Sequence, residues 1–255
     1  MKQHITRAYN SFEIDQSRGI IKKISSSQRL GDEIAYYQNL LPSQSIFFPR
    51  LISNTMDDDS FIMELEYYAY DNLGEHMMYG DYDEKFWKSL TAQIKENIGE
   101  FKFYDYGLME QKQQRRMYVD KTLRYYREFK ESEQKFNSIT SKKTISLNGK
   151  KYLNFSYIWE DVLNLIEQKL VHQARSSFIH GDMCFSNILC ATNPTTEIRV
   201  LKYIDPRGRF GTAGTTGDIR YDFAKLLHSC EGAYEYLISD NFDLQEQGDY
   251  EYALT

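Results

Sequence analysis

Two stretches constrain this 255-residue chain more than any other: Phe178-Ile-His-Gly-Asp-Met-Cys-Phe-Ser-Asn-Ile-Leu189 and Tyr203-Ile-Asp-Pro-Arg-Gly208. In order they give an apolar run, a polar turn, an Asn, a second apolar run, a short turn, a third apolar run and an Asp. That layout predicts a loop feeding a β-hairpin whose far end carries Asp205.

The three polar groups in this frame suit one kind of chemistry. Phosphoryl transfer from ATP needs a carboxylate beside the attacking hydroxyl to take its proton, and hard oxygen ligands for Mg²⁺. Asp182 fits the first role, and Asn187 and Asp205 fit the second. The protein-kinase pattern H-R-D-L-x-x-x-N followed by D-F-G has the same Asp-to-Asn spacing. Here the forms are His180-Gly-Asp182 and Asp205-Pro-Arg-Gly208, which resemble the aminoglycoside phosphotransferase and choline kinase branch of the kinase-like fold. Asn187 and Asp205 are 18 residues apart, longer than usual in that branch, and Thr192-Asn-Pro-Thr-Thr-Glu197 reads as an enlarged hairpin turn. Gly217-Asp-Ile-Arg-Tyr-Asp-Phe-Ala224 resembles the helix start of the same families. The wording from Ile204 to Ser229 is also similar to phosphotransferase-domain proteins found with bacterial capsule and surface-polysaccharide genes.

The resemblance implies an α+β, two-lobed, protein-kinase-like fold: a small β-rich N-lobe over 1–70 and a larger, mainly helical C-lobe over 71–255. Local patterns agree with that order. Phe12-Glu-Ile-Asp15 alternates with period two, Gln16-Ser-Arg-Gly19 supplies a turn, and Ile20-Ile-Lys-Lys-Ile24 reads as a second strand. Leu30, Ile34, Tyr37 and Leu41 recur at helical spacing, which Pro42 is expected to terminate. Phe47 to Ser53 and Phe61 to Tyr67 read as two further strands joined by Asp57-Asp-Asp59, with the hinge near Glu66 to Asp71. Beyond it come three helical stripes: Trp87, Leu90, Ile94 and Ile98; Val119, Leu123 and Tyr126; and Ile158, Val162, Leu165, Ile166 and Leu170, the last ending just before the loop. Asn148-Gly149 between β-favouring residues is a hairpin signal.

Such an N-lobe needs a strand Lys for the ATP phosphates and a helix Glu to position it. Lys22 and Lys23 lie on opposite faces of one strand. The resemblance favours Lys23, which stands one apolar residue before a Ser, with Lys22 as the alternative and Glu33 as partner. No Gly-rich loop precedes this strand; Tyr9-Asn-Ser11 occupies the matching place, so Ser11 is a phosphate-loop candidate. Glu66 and Tyr67 fall at the adenine-binding hinge, where backbone groups would do the recognition. The resemblance implies that His180 is a scaffold residue bonded to the loop, that Asp222 anchors the loop backbone, and that Asp218 caps its helix. Arg207, Arg209 and Arg220 cluster around the metal loop and are candidates for holding the acceptor.

Composition narrows the rest. The formal charge is −6, which offers no general attraction to nucleic acid phosphates. Three cysteines, Cys184, Cys190 and Cys230, are too few for a disulfide framework and lack metal-ligand spacing, which fits a reducing, cytoplasmic setting. No run of about 18 apolar residues occurs, so no membrane insertion is expected. Residues 111–130 hold seven Lys or Arg against two acids, and 226–255 hold seven acids and no Lys or Arg. These segments read as solvated faces attracting each other, or as walls of an acceptor site, with Tyr221, Tyr234 and Tyr236 available for cation–π contacts. The expected partner is a small-molecule hydroxyl acceptor: sugar or polyol first, amino alcohol second, aminoglycoside third. A C-terminal helix of the relatives is expected to be missing, or the chain to be a domain of a longer protein.

Overall fold

The structure is a computed structural model describing residues 10–57, 59–172, 174–192 and 199–255. Tyr9 and residues 193–198, which hold most of the enlarged turn expected over Thr192 to Glu197, lie outside the described residues. The fold is mixed α and β, and its contacts divide it into two compact units. The first runs through Gly107 and resumes over Arg175–Glu235, and the second comprises Leu108–Ala174 and Tyr236–Thr255.

The first unit begins with strands β1 (Asn10–Asp15) and β2 (Ile20–Ser25), helix α1 (Gln28–Gln38), and strands β3 (Leu51–Asp57) and β4 (Ser60–Glu66). The sheet order is β1-β2-β4-β3, antiparallel throughout. Gly19, at φ 64°, closes the β1–β2 turn in the left-handed region that glycine enters without strain. Period-two alternation sends the adjacent lysines of β2 to opposite faces. Lys23 is buried and Lys22 is not.

Ser27 caps α1, its hydroxyl accepting from the Arg29 N–H at 3.3 Å. The helix stops at Gln38, three residues before Leu41, so Pro42 does not end it. Pro42 instead opens a separate turn, Pro42–Ser45, where its missing N–H has no intrahelical partner to lose. Phe47 and Phe48 are not strand residues either, because Pro49 has no N–H to donate to a ladder. They are core. Phe48 is 1% exposed, packs edge-on against Tyr36 and Phe178, and stacks on His180 with centroids 6.0 Å apart. The helix Glu84–Phe103 adds Leu90, Ile94, Ile98 and Phe101 to this core.

After strand Arg175–Phe178 the chain makes the loop, the 3-10 turn Phe185–Asn187, and the expected hairpin, Ile188–Thr192 against Arg199–Tyr203. The helical stripe therefore does not run directly into the loop. Strand Arg175–Phe178 intervenes and pairs with Thr216–Gly217.

In the second unit, Asn148 and Gly149 both have positive φ, 52° and 74°, as a two-residue hairpin turn requires, and join Thr144–Leu147 to Lys150–Leu153. Strand Glu251–Leu254 adds to this hairpin, running parallel to Thr144–Leu147. The stripes over 116–132 and 155–171 are only half-buried, and Leu165 is exposed. Three members of the charged segments pair elsewhere than with the opposite segment: Arg115 bonds Glu167, Arg124 lies 3.7 Å from Glu128, and Glu246 bonds Lys135. Among the described residues, no helix is long and apolar enough to cross a membrane.

Candidate functional site

The first unit gathers the polar residues of β2, α1, the loop at 179–187 and the segment Asp205–Arg209. Asp205 has φ 56°, a strained conformation for a non-glycine residue. Gly208 sits so close to α1 that a Cβ there would overlap the backbone of Asp32 and Glu33. Arg209 fastens the same contact, donating to both oxygens of Asp32 at 2.6 and 2.9 Å. With this segment clamped to α1, Lys23 Nζ donates to Glu33 Oε1 at 2.7 Å and also pairs with Asp205 Oδ1. Burial works against the Lys23 charge, but Asp205 and Glu33 outweigh it and hold the ammonium above its ordinary range. Burial pushes Glu33 up to about 7 against the pull of Lys23. Lys22, the alternative, pairs among the described residues with exposed Glu13 at 3.3 Å.

The loop is held by its own backbone. The N–H groups of His180 and Gly181 donate to the two oxygens of buried Asp222, at 2.8 and 2.7 Å. His180 Nε2–H donates to Ile204 O at 2.9 Å and its Nδ1 accepts from the Asp182 N–H at 3.2 Å. Both ring nitrogens are used in the neutral form, and burial lowers the His180 pKa to about 4. Below about pH 6.5 the unfolded chain takes up a proton that the folded imidazole refuses, so this residue's stabilisation falls as pH drops from 6.5 toward 4. Asp222, pushed by burial up to about 7, acts in the opposite sense over that window. The difference in unfolding free energy between the wild type and His180→Gln therefore isolates the His share. It should shrink on acidification by on the order of 3 kcal/mol.

Asp182 lies 2.8 Å from Lys225 Nζ, and its Oδ1 is buried without a hydrogen bond of ordinary geometry. Burial raises its pKa, yet Lys225, with lesser help from His180 and Arg207, keeps the carboxyl below its ordinary value. Asn187 Nδ2 donates to Asp182 O at 2.8 Å, which leaves the amide oxygen as its ligating atom. The Asn187 carbonyl accepts from the Ile204 N–H at 2.9 Å, so Asp205 directly follows the residue bonded to Asn187. No cluster of three or more His, Cys, Asp or Glu suited to a metal occurs among the described residues. An Asn and Asp pair nevertheless fits Mg²⁺, which keeps most of its waters and takes few protein ligands.

The other candidates are placed as follows. Asp218 accepts from the Arg220 N–H at 3.0 Å at the start of helix Arg220–Cys230 and grips the Arg220 guanidinium at 2.6 Å. Arg209 and Arg220 are thus committed to carboxylates, while Arg207 reaches Tyr221 Oη at 3.4 Å. The rings of Tyr221 and Tyr234 lie under Arg207 and Lys225, at 5.9 and 5.4 Å, so protein cations take the contacts anticipated for a ligand. Ser11 belongs to strand β1 opposite Ile24 and is not a turn residue. Glu66 accepts from Tyr68 Oη at 2.9 Å, and the Tyr67 N–H is spent on Gly19 O at 2.8 Å.

Three contributors escape the sequence reading: Lys225, Ser229 and Glu235. Ser229 Oγ accepts from the Phe185 N–H at 2.9 Å and donates to Glu235 Oε1 at 2.8 Å, which also accepts from the Ser186 N–H at 3.2 Å. These residues clamp the far side of the loop, as Asp222 clamps the near side. The available signal was a polar stripe, Asp222, Lys225 and Ser229, at helical spacing on one face of the helix.

No family profile and no curated protein matches the chain. Solved structures do. Aminoglycoside phosphotransferase APH(3'')-Id from Streptomyces rimosus superposes with TM-score 0.54 at 12% identity, covering 93% of this chain and 82% of that one. A mutant of aminoglycoside 2'-phosphotransferase-IIIa in its GDP complex gives 0.57 at 16% identity, with 92% and 73% covered. A thermostable mutant of aminoglycoside phosphotransferase APH(4)-Ia gives 0.51 at 10%, with 87% and 69% covered. The chain has the fold of these phosphotransferases.

Proposed function

We propose that the chain is an ATP-dependent phosphotransferase acting on a hydroxyl of a small molecule, a sugar or polyol ahead of an amino alcohol. One observation carries this reading: Lys23 is held between Glu33 and Asp205 in the same unit as ionised Asp182 and its neighbour Asn187. Lys23 would hold the α- and β-phosphates, and Asn187 and Asp205 would ligate Mg²⁺, which when bound neutralises phosphate charge. Asp182 would accept the acceptor's hydroxyl proton while the hydroxyl oxygen bonds the γ-phosphorus. The bond from that phosphorus to the β,γ-bridging oxygen breaks, and ADP leaves with the electron pair.

The test is nucleotide consumption with Mg²⁺ over a panel of sugars, polyols, amino alcohols and aminoglycosides. Because one structural neighbour holds GDP, GTP is the comparison donor. Consumption with at least one acceptor is the expected result. A melting temperature raised by Mg-ATP without any turnover would favour a silent nucleotide-binding module.

Asp205→Ala separates metal from phosphate binding. In the wild type Mg-ATP should raise the melting temperature by mass action. In the variant the Mg²⁺-dependent part of that rise should vanish, because a charged ligand of the ion is gone.

A further inference from the structure

The charges around Asp182 bear on what the acceptor is. The backbone N–H of Arg207 donates to His180 O at 2.9 Å. Gly181, at φ 80°, has no side chain, and a Cβ there would come within 2.8 Å of Arg207 Cβ. The Arg207 stem therefore lies directly over the residue preceding Asp182. Unlike Arg209 and Arg220, which grip Asp32 and Asp218, Arg207 forms no ion pair with a carboxylate among the described residues. Its guanidinium meets Tyr221 instead. One turn further along the Tyr221 helix, Lys225 brings a second cation to Asp182, with 18% of its side chain exposed. Two cations thus face one ionised carboxylate. At Lys23 the balance is reversed, one cation between two carboxylates.

We propose that the acceptor carries an anionic group, a carboxylate or a phosphate, next to the hydroxyl that is phosphorylated, and that Arg207 and Lys225 bind it. This rests on the phosphotransfer reading above. A guanidinium presents a planar fork that matches either anion with two hydrogen bonds. A substrate ammonium in the same place would meet two like charges at close range, and the faces of Tyr221 and Tyr234 are already engaged by protein cations.

The experiment uses the full chain, Mg-ATP and matched acceptors: D-glucuronate against glucose, glycerol 3-phosphate against glycerol, and ethanolamine and kanamycin as cations. The anionic member of at least one pair should show a kcat/KM at least tenfold above its neutral partner, and the two pairs distinguish carboxylate from phosphate. Arg207→Gln should raise KM for that acceptor tenfold or more, leave the KM for ATP unchanged, and be partly rescued by Arg207→Lys. Preference for a neutral or cationic acceptor would overturn the proposal and leave phosphotransfer standing. So would an Arg207→Gln variant whose raised KM is the one for ATP. Failure of every acceptor to support nucleotide consumption would overturn both.

Discussion

Asp182→Asn should keep nucleotide binding and lose turnover by about 10² to 10⁴-fold, the range expected when a positioned proton acceptor is removed. The amide is nearly isosteric, so the loop's backbone bonds, including the Asp182 N–H to His180 and the Asp182 carbonyl to Asn187, need not change. What changes is charge. Lys225 now faces an amide at the position where it paired with a carboxylate at 2.8 Å, and no group remains to take the hydroxyl proton. Single-turnover kinetics with saturating Mg-ATP measures the loss, and the ATP-induced melting shift checks that binding survives. A variant with wild-type rates on the true acceptor would remove Asp182 from its role.

The second large effect belongs to a residue that touches no substrate. Asp222 is fully buried and accepts both the His180 and Gly181 N–H groups. Asp222→Ala strands two buried donors, each costing about 1–3 kcal/mol when left unsatisfied. Losing the carboxylate also relieves its own burial, which offsets part of that cost. A net destabilisation on the order of 2 kcal/mol is expected, read as a shifted urea midpoint at unchanged slope. Turnover should fall further than stability suggests, because a catalytic group displaced by about 1 Å can cost about 10²-fold. Asp222→Asn, with one acceptor oxygen, should lie between the two.

These two positions were legible for different reasons. The loop and hairpin could be read because apolar runs bracket Asp182, Asn187 and Asp205 in a short span, so local pattern and final geometry coincide. Lys23 could be separated from Lys22 only in part, since strand periodicity says that they face opposite ways but not which face is covered. α1 decides that by burying Lys23. Pro42 misled because a proline marks the edge of an element without saying which element it borders, and the strand read over Phe47 to Ser53 ran through a proline that bars its first half from the ladder. The arginines misled more deeply. Arg209 and Arg220 looked free because their partners, Asp32 and Asp218, are assigned only by tertiary contact or by a helix start. Lys225, Ser229 and Glu235 were hidden for the same reason: each acts on a loop some 40 to 50 residues earlier in the chain.

The pairing of Lys23 with Asp205 spans 182 residues, and it has a consequence for synthesis. A ribosome adding roughly 5 to 20 residues per second takes on the order of 10 to 40 seconds to travel from one to the other. Throughout that interval β2 carries a lysine whose burial is balanced by Glu33 alone, and the first unit lacks the aromatic rings of Phe178 and Tyr203 that complete its core. The second unit waits as well, since the strand Glu251–Leu254 joins a hairpin made about a hundred residues before it. Both units are thus built from contacts distant in sequence, a topology that folds slowly and leaves sheet edges open while it does. Yield in a cell should therefore respond to chaperone supply and translation speed more than the stability of the finished protein would suggest.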